Sequence, residues 1–269
     1  MHKINIIYWK KKIPNDSEII YNIHIIKTIL LNAKIFGTPP PILLWIKNNI
    51  NKYYYKILSL IEQLSIKIEN PPNEIFKLIT NGKIRNNQSI IAFCKMVFTK
   101  NEKTLINRLL NWKESVAPLF LILNGITDTY NLGACLRSVD AAGAHGIIIP
   151  KTKNAHINNI VRKVSSGATE VVLIYIVNNL YNTINKLRNL GIWILGTTNK
   201  AKKFLFDIDL KIPCAIIMGS EGYGLSNLIK KNCDYLISLP MLGKISSLNI
   251  SVAAGICLFE AVRQRNFKI

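Results

Sequence analysis

The stretch Leu239-Pro-Met-Leu-Gly-Lys-Ile-Ser-Ser-Leu-Asn-Ile-Ser-Val-Ala-Ala-Gly-Ile-Cys-Leu-Phe-Glu-Ala-Val-Arg-Gln-Arg265 decides how the rest of the chain is read. It opens as the end of a strand and passes through a loop where Gly243, Ser246, Ser247 and Asn249 crowd together. It then continues as a helix with Leu248, Val252, Ile256, Phe259 and Val262 on one stripe, predicted to be buried. Small polar side chains at such a junction leave backbone N–H groups open, so Ser247 and Asn249 can act as helix caps or as ligand contacts. Residues 124–140 and 218–226 carry the same excess of glycine and polar side chains.

Working outward, short apolar runs recur at residues 119–123, 146–149, 171–177, 192–195, 214–218 and 235–239, separated by stretches with helical patterning. That alternation predicts an α/β domain with a mainly parallel sheet and helices on both faces. Ligands in such sheets gather at the carboxyl ends of the strands. All three unusual stretches fall there.

In the first, a strand runs into a polar loop, Asn131 and Gly133 open a helix, and Arg137 follows six residues after Asn131. Asn131 can cap the helix while Arg137 extends to solvent. Alternatively, the helix start can receive a phosphate and Arg137 can add a planar fork to it. In the second, Gly219, Gly222 and Gly224 flank a single acid, Glu221. This completes neither a dinucleotide fingerprint nor a P-loop, since Gly243-Lys244 is followed by Ile245. Its glycines let a backbone approach a ligand, and Glu221 can hold Arg137, hold a substrate donor or face solvent.

Together, Asn131 to Arg137 (N-x-G-x-x-x-R), Gly219 to Gly224 (G-x-E-x-x-G) and Pro240 to Ser251 (P-M-x-G-x-x-S-S-L-N-x-S) resemble the motifs of the SpoU/TrmH branch of the SPOUT methyltransferases. The resemblance covers residues 119–265. Its final run is most similar to the bacterial enzymes that methylate a guanosine ribose of 23S large-subunit ribosomal RNA. It implies a C-terminal trefoil-knotted SPOUT domain, a homodimer, S-adenosylmethionine (AdoMet) as methyl donor and a ribose 2′-hydroxyl as acceptor. It also implies AdoMet contacts at Gly196, Thr197, Gly219, Leu239 and Leu248, with no metal. The catalytic set would be Asn131, Arg137, Glu221, Ser247 and Asn249. A ribose hydroxyl is a weak acid, so its proton must leave or its growing charge must be stabilised as the methyl moves. A guanidinium stays protonated, which casts Arg137 as a phosphate ligand and charge stabiliser, braced by Glu221, with action as a base left open. Two positions depart from the family pattern: Thr129 stands where Pro usually follows Asp128, and Asn22 stands where Gly is usual.

The N-terminal half predicts a small α/β domain, and the resemblance implies that it binds RNA. Residues 1–17 read as a loose basic extension, residues 18–98 as the domain itself, residues 99–115 as a linker and helix, and residues 116–269 as the methyltransferase domain. Ser17 is expected to cap a helix carrying Ile20, Ile23, Ile26, Ile29 and Leu30. Strands are expected near residues 41–46, 65–69 and 89–98, with helices near 54–63 and 72–80. Ile20-Tyr-Asn-Ile-His24 and Asn87-Gln-Ser-Ile-Ile-Ala92 are similar to that family's first-domain signatures.

A formal charge of +20 points to a polyanion. The excess is spread evenly, net +11 over residues 1–115 and +9 over 116–269, so it does not say which half touches nucleic acid. The five cysteines form no C-x-x-C pair, which argues against a disulfide framework or zinc knuckle and for a reducing cytoplasm. No run is long enough to span a bilayer. The reading is an RNA (guanosine-2′-O-)-methyltransferase of large-subunit rRNA. A transfer-RNA ribose methyltransferase and a non-catalytic RNA-binding ribosome assembly factor are the alternatives.

Overall fold

The computed structural model describes residues 6–15, 17–47, 54–80, 89–95, 97 and 99–266, and the chain divides into two compact units, residues 1–97 and 98–269.

In the first unit, β1 (Ser17–Ile20), β2 (Leu43–Ile46), β3 (Ile68–Glu69) and β4 (Ile90–Lys95) form a sheet of order β1-β4-β2-β3. Both neighbours of β4 run antiparallel to it, and β2 and β3 are parallel. Strand β2 is buried along its whole length because both faces are covered. Leu44 and Ile46 join Ile26, Leu30, Ile57 and Ile61 from α2 (Ile23–Phe36) and α3 (Tyr55–Gln63). Leu43 and Trp45 join Ile75 and Phe76 of α4 (Asn73–Ile79).

Two expectations change here. Ser17 begins a strand, its hydroxyl donating to Pro14 O, and the helix starts later with Asn22 as its cap. The Asn22 carboxamide accepts from His24 N and Ile25 N at φ −83°, a torsion open to any residue, so the unusual Asn supplies a cap where glycine could not. In place of a loose extension, α1 (Ile6–Lys11) lays Trp9 edge-on against Trp45, with ring centroids 5.5 Å apart, and Lys12 pairs with Glu69 at 3.0 Å. Met1 to Asn5, Asp16, Asn87, Gln88, Met96 and Phe98 lie outside the described residues, so parts of the expected extension, closing signature and third strand do too.

The second unit carries, among the described residues, an eight-stranded sheet in which every pairing is parallel. Its strands are β5 (Lys100–Asn101), β6 (Leu119–Leu123), β7 (Gly146–Pro150), β8 (Ile174–Val177), β9 (Trp193–Thr197), β10 (Lys203–Phe204), β11 (Cys214–Met218) and β12 (Tyr235–Ser238). The order is β10-β12-β9-β11-β6-β7-β8-β5. Phe120, Ile122, Ile148, Ala215 and Ile217 meet Leu105 of α5 (Glu102–Leu110), Ile184 and Leu187 of α8 (Leu180–Asn189) and Ile229 of α9 (Asn227–Lys231) in one core. Elsewhere α6 (Thr129–Ala141) packs against both α7 (Asn159–Val164) and α10 (Ile250–Asn266). The end of α10 is pinned by Arg265, which donates to the carbonyls of Ala117 (2.6 Å), Leu210 (2.8 Å), Ile212 (2.9 Å) and Pro118 (3.3 Å).

The stripe expected to bury α10 is instead its open side. Val252, Ile256 and Phe259 are 51%, 37% and 49% exposed, and the helix packs inward through Ile250, Ala254, Cys257, Leu258 and Ala261. The inward face is built largely of small residues, so the apolar stripe marked the wrong side.

Candidate active site

Strands β9, β11 and β12 end side by side, and the loops leaving them enclose a cleft of about 590 Å³. Its walls include Thr197 from β9, Met218 from β11 and Ser238 from β12, with Leu239, Met241, Ser247 and Leu248 from the loop before α10. Parallel strands bring all their carboxyl ends to one edge, and a neighbouring pair whose chains depart in different directions leaves a crevice.

The floor of the cleft is shaped by Gly219. A Cβ added there would lie 2.4 Å from Gly224 C and 2.6 Å from Leu225 N, so only glycine lets the strand end pass that backbone. The following turn closes through Gly224 N to Ser220 O at 2.9 Å and Ser220 N to Gly224 O at 3.2 Å. Thr197 is fixed on the opposite wall by donating from Oγ1 to Ile217 O at 2.9 Å.

One line of hydrogen bonds joins the three polar stretches. Asn131 donates from Nδ2 to Glu221 Oε1 at 2.6 Å, and Asn249 donates from Nδ2 to Asn131 Oδ1 at 3.0 Å. Asn249 Oδ1 in turn accepts from Ser251 N and Oγ, which starts α10. Asn131 is buried, so its carboxamide is committed at both ends and fixes the loops that carry Glu221 and Asn249. Asp128 caps α6 by accepting from Tyr130 N and Asn131 N, which frees Asn131 from the capping role. The cap also starts the helix without the usual proline.

The expected site residues therefore divide. Thr197, Gly219, Glu221, Leu239, Ser247 and Leu248 line the cleft. Asn131 and Asn249 are bonded to it through Glu221. Gly196 lies one residue back in β9, buried, where a Cβ would meet Cys233 Sγ at 2.6 Å; its smallness serves packing. Arg137 is exposed and off the cleft wall, and no described residue hydrogen-bonds or pairs with it. Six residues of helix separate it from Asn131 by about 9 Å along the axis and about 120° of rotation, so the two point apart. Glu221 braces Asn131, not Arg137.

Sequence reasoning missed Asn154. Its Oδ1 accepts from Gly125 N and Ile126 N, both at 2.9 Å, and its Nδ2 reaches Pro150 O and Thr152 O. This ties the loop after β7 to the loop that leads into Asn131. A lone Asn in a Lys-rich loop carries no local signal of such a role. Met218, Ser220 and Tyr223 stood inside the glycine stretch but were passed over for its glycines and acid.

Burial pushes the thiols of Cys135, Cys233 and Cys257 up to about 12 and that of Cys214 to about 11, with Glu221 adding to the effect at Cys135. None of these four is a thiolate nucleophile at neutral pH. Among the described residues no group of three or more His, Cys, Asp or Glu gathers as a metal site, and no helix is long and apolar enough to cross a membrane.

Residues 118–259 match the SpoU rRNA Methylase family. Over 93% of its length the chain is 39% identical to a 23S rRNA (guanosine-2′-O-)-methyltransferase of Photorhabdus laumondii, covering 99% of that protein. It is 40% identical to the same-named protein of Haemophilus influenzae, covering 93% of the chain and 98% of the relative. The match to the Pseudomonas putida protein of that name is 52% identical over 56% of the chain and spans 61% of the relative's length. Among solved structures, the SpoU methyltransferase AviRb of Streptomyces viridochromogenes in complex with AdoMet superposes with a TM-score of 0.73 at 23% identity, covering 98% of this chain and 99% of that one.

Proposed function

Because the chain belongs to the SpoU rRNA methylase family, we propose that it methylates a guanosine ribose 2′-hydroxyl of 23S large-subunit rRNA with AdoMet as donor. The observation that carries this is the bonded line from Glu221 through Asn131 to Asn249, set beside a cleft large enough for a cofactor.

The cleft suits AdoMet in shape and chemistry. Gly219 opens the main chain to a ligand, Met218, Leu239, Leu248 and Ile250 offer apolar walls, and loop backbone supplies donors and acceptors for an adenine edge. When bound, AdoMet supplies a sulfonium methyl, which is strongly electrophilic. The chain's own work is positioning, worth several powers of ten in rate. Asn131 holds Glu221 and Asn249 in register, Ser247 lines the cleft from the loop before α10, and Thr197 and Gly219 set its walls. Arg137 binds the phosphate beside the target ribose and stabilises the alkoxide charge as the hydroxyl proton departs.

Arg137 does not line the cleft beside Glu221, which supports a homodimer in which a second copy completes the site. The open face of α10, with Val252, Ile256 and Phe259, is the surface we assign to that contact. Phe259→Glu should give a folded monomer in sedimentation and abolish turnover. Mixing Arg137→Ala with Glu221→Ala subunits should restore part of the activity if the site is shared between copies.

The trefoil knot belongs to the same proposal. It is supported by β11 lying between β6 and β9 and by Arg265 tying α10 back to the residues that enter β6. Residues 18–98 act as the RNA-binding domain, residues 99–115 belong to the catalytic unit because β5 extends its sheet and Leu105 enters its core, and the protein works in the cytoplasm. Labelled methyl incorporation into 23S rRNA and into transfer RNA is the test. Label in an alkali-resistant dinucleotide of 23S rRNA supports the reading. Label in transfer RNA alone, or tight rRNA binding without label, refutes it.

A further inference from the structure

The turn between β11 and α9 carries an aromatic ring that methyl transfer as described leaves unused. Tyr223 is 95% exposed at the lip of the cleft, two residues beyond Glu221. It stands between Gly222 at φ +88° and Gly224 at φ +63°, inside the turn closed by the two Ser220–Gly224 hydrogen bonds. Its ring makes no aromatic or cation contact with a described residue. An aromatic side chain held out on a closed turn forgoes the burial that a slack loop would let it find. The same cleft is lined by Lys200, from the loop after β9, and Lys230, from α9. An exposed ring on a cleft that also carries lysines is the chemistry that binds unpaired nucleic acid, where bases stack on the ring and phosphates meet the charges.

We infer that Tyr223 is a stacking platform for a nucleobase of unpaired RNA beside the methylated ribose, with Lys200 and Lys230 meeting the neighbouring phosphates. This rests on the methyltransferase reading and adds a subsite to it. Unpaired RNA at the cleft mouth carries bases without a stacking partner, and such a base needs a surface. Tyr223 supplies one at 95% exposure, on a cleft whose apolar lining includes Met218, Leu239, Leu248 and Ile250.

The test uses the full chain and three variants of it. Tyr223→Ala should raise KM for a 23S rRNA transcript by about 5- to 150-fold, the span of base–aromatic stacking. AdoMet affinity by equilibrium dialysis should not move. Tyr223→Trp should keep the parental KM, whereas Tyr223→Leu, apolar but without a π face, should behave like Ala. The indole added by Tyr223→Trp should also be quenched by oligoadenylate. Unchanged KM in Tyr223→Ala, rescue by Leu, or no quenching would overturn the inference. A change in sedimenting mass for Tyr223→Ala would also overturn it, by making the ring a contact between copies. A parent protein that methylates no rRNA would remove the functional reading instead, while the quenching still decides whether Tyr223 stacks on bases.

Discussion

Gly219→Ala adds one methyl group, yet the cleft floor has no room for it. The new Cβ would stand 2.4 Å from Gly224 C, 2.6 Å from Leu225 N and 2.7 Å from Gly224 O, all main-chain atoms that cannot swing away like a side chain. Ordinary contact begins at 3.4 Å, so the turn must open by about 1 Å. Overpacking of this kind costs about 1–3 kcal/mol, and displacing a positioned group by about 1 Å costs about 100-fold in rate. That displacement acts on Glu221, whose 2.6 Å bond to Asn131 holds the site together. The expected result is a thermal midpoint lowered by roughly 2–4 °C per kcal/mol lost, with kcat/KM down about 100-fold and AdoMet binding weakened. Two neighbours are controls. Gly243 has nothing within 4 Å, so Gly243→Ala should be neutral. Gly222 also has room but sits at φ +88°, so Gly222→Ala should cost about 1 kcal/mol from backbone strain alone. Parental kcat/KM and AdoMet affinity in Gly219→Ala, or equal damage from Gly243→Ala, would refute the reasoning.

Asn131→Asp sets a carboxylate against Glu221, and two such groups in contact share a proton. Activity should fall about 100-fold near neutral pH and recover in part as pH is lowered, while Asn131→Ala stays low throughout. Arg265→Lys keeps a charge but cannot fork across the carbonyls of Ala117, Pro118, Leu210 and Ile212; urea unfolding should show a loss of roughly 3 kcal/mol. His145 accepts from Leu119 N through Nδ1. Burial lowers its pKa despite Glu114, with Arg108 and Arg265 adding to the lowering. The fold thus favours the neutral ring: its contribution is complete above the unfolded value of about 6.5 and is lost as pH falls through the lowered folded value. Unfolding free energies measured across that range should slope downward toward acid, and His145→Gln should flatten the slope.

Much of the second unit could be read from apolar runs, because parallel strands buried on both faces need no alternation. Cys214–Met218 and Leu119–Leu123 fall where the runs place them. The edge pairs β5 and β10 escaped because two-residue strands of Lys-Asn and Lys-Phe carry no periodicity. The α10 stripe misled for a physical reason: i, i+4, i+7 spacing identifies an apolar face but not what covers it. Likewise Ser17 and Asn22 are both good caps, and only the pairing of Ser17 with Lys95 in β4 sends the first into a strand. In the site, the residue types of the three polar stretches stood out, but not which would touch. Glu221 could as well have met Arg137 as Asn131; the six-residue helical offset decided against it. The bridging role of Asn154 depends wholly on two loops meeting across 29 residues of sequence, which no local pattern encodes.

The position of β11 has a consequence for synthesis. It fills the slot between β6 and β9, so a nascent chain that has emerged only as far as residue 213 can pair β6, β7, β8 and β5, while β9 lacks both of its neighbours, β11 and β12. The edge of β6 is then exposed, and the pairing that covers it spans about 95 residues. The first unit can settle early. The cleft cannot exist until β11 and the loops after it arrive, so a truncated product would carry the first unit and no cleft.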